Sequence, residues 1–140
     1  MREILFRGKC VDNDEWIEGI AFPHDNRGKV TMFRQHPADG SLIGDEVVSN
    51  TVGQYTGFED RNGNKIFEGD IIQNIIEDEY AVYWCDGGFA LKHIVYGEID
   101  NRFNGTIHFN SDDCSIDTFE IVGNIYDDYP ELLEELNKGA

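Results

Sequence analysis

Short apolar runs separated by Gly, Asn and Asp recur at intervals of roughly ten residues, the rhythm of a small barrel or sandwich. Glu3-Ile4-Leu5-Phe6 reads as a first strand. Glu15-Trp16-Ile17-Glu18 follows the polar turn Asp12-Asn13-Asp14, so these two runs predict a hairpin. Val30-Thr31-Met32-Phe33 predicts another strand, entered from the turn-like Asp25-Asn26-Arg27-Gly28. His36 to Ser41 reads as loop, and Gly44-Asp45 as a second turn ahead of Glu46-Val47-Val48.

The clearest local signal is Asp60-Arg61-Asn62-Gly63-Asn64-Lys65, between Gln54–Phe58 and Lys65-Ile66-Phe67. Asn-Gly adopts positive φ at little cost, as a tight hairpin requires. Gly69 predicts a bend into Asp70-Ile71-Ile72. Tyr80 to Trp84 is strongly β-prone, and Asp86-Gly87-Gly88 predicts its turn into Phe89-Ala90-Leu91-Lys92. Ile107-His108-Phe109 and Phe119 to Tyr126 complete the strands. One helix is predicted, over 128–138. Pro130 suits a first turn, its early glutamates suit the positive helix end, and Leu132, Leu133 and Leu136 share one face. At about two turns such a helix is marginal alone and needs a surface to dock on.

Apolar residues make up 40% of the 140 positions and aromatics 12%. That is enough for one modest core, and too much for a disordered acidic chain. The residues expected to supply much of the core are Trp84, Tyr83, Ile71, Phe89, Leu91, Ile121, Val122 and Ile125. The first residues hold no secretory h-region, and no run approaches the roughly 18 apolar residues of a membrane span. Three cysteines, Cys10, Cys85 and Cys114, fit no disulfide or zinc framework. A cytoplasmic protein is expected.

The formal charge is −17. Residues 1–65 hold 8 basic and 11 acidic side chains, whereas residues 66–137 hold 2 basic and 17 acidic ones. Such a chain is poorly suited to grip nucleic-acid phosphates directly or anionic lipid. An acidic segment of this kind either keeps the surface solvated or meets a basic partner.

Candidate chemistry is sparse. Asp60-x-Asn62-x-Asn64 opens like an EF-hand loop, but Lys65 and Ile71 stand where that loop needs Gly and Glu. A hairpin turn explains it better. Asp112-Asp113 and Asp127-Asp128 are acid pairs of the kind that bind divalent ions only weakly. His24, His36, His93 and His108 show no zinc spacing, and Asn104-Gly105-Thr106 reads as a turn. Neither GxSxG, GxxxxGK[ST] nor GxGxxG occurs. No cofactor or metal is therefore expected. Tyr83, Trp84 and Phe89 are better read as core than as base-stacking residues, because Glu77, Asp78, Glu79 and Asp86 surround them in sequence.

Four blocks resemble YopX-like proteins, a family encoded by bacteriophages and prophages. They are Met1-Arg2-Glu3-Ile4-Leu5-Phe6-Arg7, the stretch from Thr51 to Ile72, Tyr83-Trp84 with Gly88-Phe89, and Glu120 to Tyr126. The resemblance implies an SH3-like β-barrel element, assembly into oligomers, and no assigned enzymatic activity or catalytic residues. Gly57, Gly63, Gly69 and Asp70 look like fold markers, with the aspartate able to accept from nearby backbone N–H groups.

The combined expectation is a mainly β protein, one domain over 1–140. It has an N-terminal β extension over 1–50, a small SH3-like, partly open barrel over 51–127, and the short C-terminal helix. Three functions fit. The first is a non-enzymatic, self-assembling protein-binding accessory protein of phage or prophage type. The second is an acidic nucleic-acid mimic that blocks a basic host surface. The third is a small hydrolase or metal-dependent enzyme without a recognisable motif. Tyr55, Phe58 and Trp84 are the candidates for a contact surface.

Overall fold

In the computed structural model the described residues are 4–23, 29–85, 87–100, 107–108 and 116–133. The chain divides into two compact units, residues 1–55 and 56–140.

In the first unit, β1 (Phe6–Lys9), β2 (Trp16–Pro23), β3 (Val30–Gln35) and β4 (Leu42–Val47) follow one another as antiparallel neighbours. After a 3-10 turn at Ser49–Thr51, β5 (Gly53–Glu59) begins beside β1, so the order here is β4-β3-β2-β1-β5. The β1–β2 hairpin forms around Asp12-Asn13-Asp14, where Asp14 takes φ 59°. Among the described residues the first strand starts at Phe6 rather than Ile4, because its pairing with β2 runs from Phe6 opposite Gly19 to Lys9 opposite Trp16; Glu3 lies outside the described residues.

The tip of β3–β4 is the loop His36–Ser41, closed by hydrogen bonds from His36 N–H to Ser41 O and from Gly40 N–H to His36 O. Gly44-Asp45 is not a turn. Both residues lie inside β4, opposite Phe33 and Met32. The end of β4 is drawn onto the end of β1: Val48 N–H donates to Lys9 O at 2.9 Å and Val11 N–H to Glu46 O at 3.0 Å. Thr51 braces this junction, its hydroxyl accepting from Lys9 N–H and donating to Val48 O. Among the described residues, Cys10, Met32, Val47 and Tyr55 are the buried apolar side chains of this unit.

In the second unit, the end of β5 lies beside β6 (Lys65–Phe67), where the Thr56 hydroxyl donates to Ile66 O at 2.8 Å. A separate antiparallel sheet contains β7 (Asp70–Gln73), β8 (Glu79–Cys85), β9 (Gly88–Val95), β10 (Glu98–Ile99), β11 (Ile107–His108) and β12 (Glu120–Asn124). Its order is β10-β9-β8-β7-β12, with β11 also on β9.

The runs Ile71-Ile72, Ala81-Val82-Tyr83 and Phe89-Ala90-Leu91 are unbroken by polar residues because both faces of this sheet are covered. Ile71, Ala81, Tyr83, Ala90 and Ile94 pack on one face with Ile125 and Leu132. Ile72, Val82, Phe89 and Leu91 pack on the other with Ile66, Ile116 and Phe119. Each such side chain contributes roughly 1.5–3 kcal/mol of burial.

Two residues expected in the core are not there. Trp84 is 41% exposed and Val122 45% exposed. Trp84 stands near the end of β8 and packs edge-on against Phe89, with centroids 4.9 Å apart. Val122 sits on the edge strand β12, at the bulge where the register shifts between Ile121 and Gly123. Ile121 is half-buried against the second cluster, and the other five expected residues are buried.

The C-terminal helical segment begins earlier than expected. α1 spans Ile125–Asp128, and a separate 3-10 turn spans Pro130–Leu132. Asn124 caps α1 by accepting from Asp127 N–H at 2.9 Å. Replacing it with alanine should cost about 1 kcal/mol, read as a shift of the urea midpoint without a change in slope. Pro130 does occupy a first-turn position, though of the 3-10 turn. Leu136 and the rest of 134–138 lie outside the described residues. So do the turn Asp25–Gly28, Phe109, Asp112-Asp113, Cys114 and the 104–106 stretch. The fold is mainly β, and no barrel closes among the described strands.

Candidate functional site

Strand alternation makes one feature stand out on the first unit. Along β2, Glu18, Ile20 and Phe22 point to one face while Gly19 and Ala21 point to the other. Phe33 is opposite Ile20, and Gly44 is opposite Phe33. Gly44 is needed by the close approach of that ring: a Cβ there would stand 2.8 Å from Phe33 Cε1. Phe22 meets Phe33 edge-on, with centroids 5.6 Å apart.

Together with Leu5 and Leu42, these side chains line an open apolar depression of about 760 Å³. Ile20, Phe22 and Leu42 are 51%, 51% and 70% exposed, so three large apolar side chains face water in one place. Clusters of that kind mark contact sites, whereas single exposed apolar residues do not. Of the lining residues only Glu18 and Arg34 are charged, and Gln35 adds an amide. Arg34 Nε lies 3.4 Å from Asp45 Oδ2. The site offers apolar area with a polar edge, and its chemistry is that of binding.

A smaller hollow of about 350 Å³ in the second unit is polar, lined by Gln73, Glu79, Asp128 and Tyr129 over Ile71 and Val122. Burial raises the pKa of the Tyr129 phenol, and the charges of Glu79 and Asp128 raise it further. The phenol therefore stays protonated at neutral pH and hydrogen-bonds Glu79. Asp128 is also occupied, its Oδ2 accepting from Asn124 N–H at 3.1 Å.

The sequence-predicted contact residues do not line the depression. Tyr55 is buried at 5% exposure, while Phe58 is 37% exposed and Trp84 41%. The depression depends instead on Ile20, Phe22, Phe33 and Leu42. A signal for it existed: Gly19-Ile20-Ala21-Phe22 continues the β alternation past Glu18, where the sequence reading ended that strand.

The other motifs resolve locally. Asp60 Oδ1 accepts from the N–H groups of Asn62 and Asn64, so the EF-like segment is a carboxylate-braced turn. Asp70 Oδ2 accepts from Phe67 N–H at 2.8 Å, as expected of an aspartate beside a bend. His36 Nδ1 accepts from Ala38 N–H. His93 stacks on Tyr80 at 4.8 Å, with Asp78 and Asp100 at 3.9 and 3.6 Å. Among the described residues no group of three or more His, Cys, Asp or Glu is placed to hold a metal ion, and no helix is long and apolar enough to cross a membrane.

These features define a mainly β protein built of antiparallel sheets, with an exposed apolar sheet face as its most distinctive surface. The chain belongs to the YopX protein family, whose model matches residues 5–134. In fold it is similar to the crystal structure of protein EF1440 from Enterococcus faecalis. That likeness has a TM-score of 0.53 at 21% identity and covers 95% of this chain and 99% of that one. At that identity it speaks for the fold alone. None of the curated proteins matches the chain.

Proposed function

We propose that this chain is a non-enzymatic accessory protein, of phage or prophage type, that assembles with itself and binds another protein. The observation that carries the reading is the apolar depression on β2–β4, where Ile20, Phe22 and Leu42 stand open to water beside Phe33. Covering such a face returns roughly 25 cal/mol for each Å² of apolar surface removed from water. Static light scattering over a wide concentration range tests it. The expected result is a mass that is a multiple of the single chain and falls on dilution. A single-chain mass throughout contradicts the reading.

A second reading is favoured by charge. Residues 66–137 carry 17 acidic and 2 basic side chains, a distribution suited to a basic partner surface, as in a nucleic-acid mimic. That partner should be captured from bacterial lysate at low salt and released at moderate salt, because exposed charges are screened over about 8 Å at physiological ionic strength. Capture that does not respond to salt counts against the mimic.

A further inference from the structure

We propose that Asn62 is a self-modification site: the Asn62-Gly63 pair converts to aspartate and isoaspartate when the β5–β6 turn opens, and the conversion unties that turn from β12.

The chemistry comes from neighbours in sequence. Gly63 has no Cβ to crowd its amide nitrogen, so that nitrogen can attack the side-chain carbonyl carbon of Asn62. The Gly63 nitrogen first gives up its proton to a base in solvent. A bond then forms between Gly63 N and Asn62 Cγ, and the bond from Cγ to Nδ2 breaks. Nδ2 takes a proton from water and leaves as ammonia, and a cyclic succinimide remains. Water from solvent opens the ring. Attack at Cγ gives aspartate. Attack at the main-chain carbonyl of residue 62 gives isoaspartate, with the main chain rerouted through Cγ. Asn62 and Gly63 are both exposed, so solvent reaches each of these atoms.

The fold holds this reaction in check. Gly63 N–H donates to Asp60 O at 3.0 Å. An N–H held by a carbonyl oxygen releases its proton only when the bond opens, as in hydrogen exchange, and the attack needs that proton gone. Around it, Asn62 N–H and Asn64 N–H both donate to Asp60 Oδ1 at 2.9 Å. Asn62 Nδ2 donates to Glu120 Oε1 on β12 at 3.3 Å. Conversion therefore samples the open turn, and its rate follows how often the turn opens. Neither product suits the closed turn. An aspartate at 62 puts a carboxylate where Nδ2 met Glu120, and like charges repel. An isoaspartate lengthens the main chain by one carbon between the two N–H groups that share Asp60 Oδ1. The same carboxylate accepts from Ile121 N–H at 3.0 Å, so disturbing it at the turn also loosens the tie to β12.

The test incubates the folded wild type beside the same chain in urea, at mildly alkaline pH. Peptide mapping by mass spectrometry scores aspartate and isoaspartate at position 62. Asn104-Gly105, the other Asn-Gly pair of the sequence, is scored separately. The folded chain is expected to convert, and the unfolded chain to convert at least roughly tenfold faster, because the bonds that close the turn are gone. Gly63→Ala in urea is expected to slow the reaction sharply, since a methyl group then crowds the attacking nitrogen. Converted protein, separated by ion exchange, is expected to unfold at a lower urea midpoint than unconverted protein. Equal rates in the folded and unfolded chains would overturn the gating by the turn. A folded chain that never converts would overturn the site. Aspartate without isoaspartate, or a rate indifferent to Gly63→Ala, would mean direct hydrolysis of the side chain and overturn the mechanism. An unchanged midpoint after conversion would overturn the untying from β12.

Discussion

Replacing Gly69 with alanine is expected to destabilise the 56–140 unit by roughly 3–4 kcal/mol. That corresponds to a fall in melting temperature of more than about 10 °C. Gly69 turns the chain from β6 into β7 at φ 94°, a conformation that an L side chain adopts only with strain. Its backbone is fully engaged there. Its N–H donates to Val82 O at 2.8 Å, and its carbonyl accepts from Ile125 N–H at 2.7 Å. The Tyr126 ring lies against its Cα, so an added Cβ would stand 2.5 Å from Cε2 and 3.0 Å from Cζ. The ring is packed against the first core cluster and cannot swing aside cheaply. Gly63 is the control. It has φ 82° with nothing within 4 Å of a Cβ, so Gly63→Ala should cost only the strain, about 1–2 kcal/mol. Differential scanning calorimetry of the two variants separates strain from clash. Equal losses would mean that Tyr126 does not press on Gly69.

Asp60→Ala is the second large effect, expected at roughly 2–3 kcal/mol. This carboxylate is 5% exposed and accepts from three backbone N–H groups. Those of Asn62 and Asn64 close the β5–β6 turn, and that of Ile121, at 3.0 Å, ties the turn to β12. Close by, Arg61 pairs with Glu120 and its N–H donates to Phe119 O. Burial pushes the Asp60 pKa up. The N–H donors of Ile121, Asn64 and Asn62, with the Asn64 side chain, outweigh that and hold it below the ordinary value. The sign of the pH effect follows. The contribution is complete above the unfolded pKa of about 3.9. It declines as pH falls through the lowered folded value and is lost below it. The stability gap between wild type and Asp60→Asn, measured by urea unfolding, should therefore be constant from about pH 7 to 5 and close on further acidification. A gap that persists in strong acid contradicts this role.

Much of the second unit was legible because its signals are local. The apolar runs of β7, β8 and β9, the turns at Gly63 and Gly69, and the acceptor role of Asp70 all depend on residues close together in sequence. Trp84 was misplaced because alternation puts it on the face of buried Val82 but does not reveal how far along β8 that burial extends. Val122 was misplaced because the bulge of an edge strand is set by its partner. Asn124 reads locally as the end of a strand, and only the fold of 125–128 makes it a cap. The depression was harder still. Its four central residues come from three strands, and only the register Ile20–Phe33–Gly44 brings them onto one face. Asp60 was visible as a turn residue, but its bond to Ile121 spans 61 positions and has no local trace.

The most direct measurement is a dilution series followed by methyl NMR on protein labelled at Ile and Leu. The Ile20 and Leu42 methyl signals are expected to shift with concentration, while those of buried Ile71, Ile72 and Leu91 stay fixed. Spectra that superimpose from the most dilute to the most concentrated sample, under conditions where light scattering reports assembly, would contradict contact through this face.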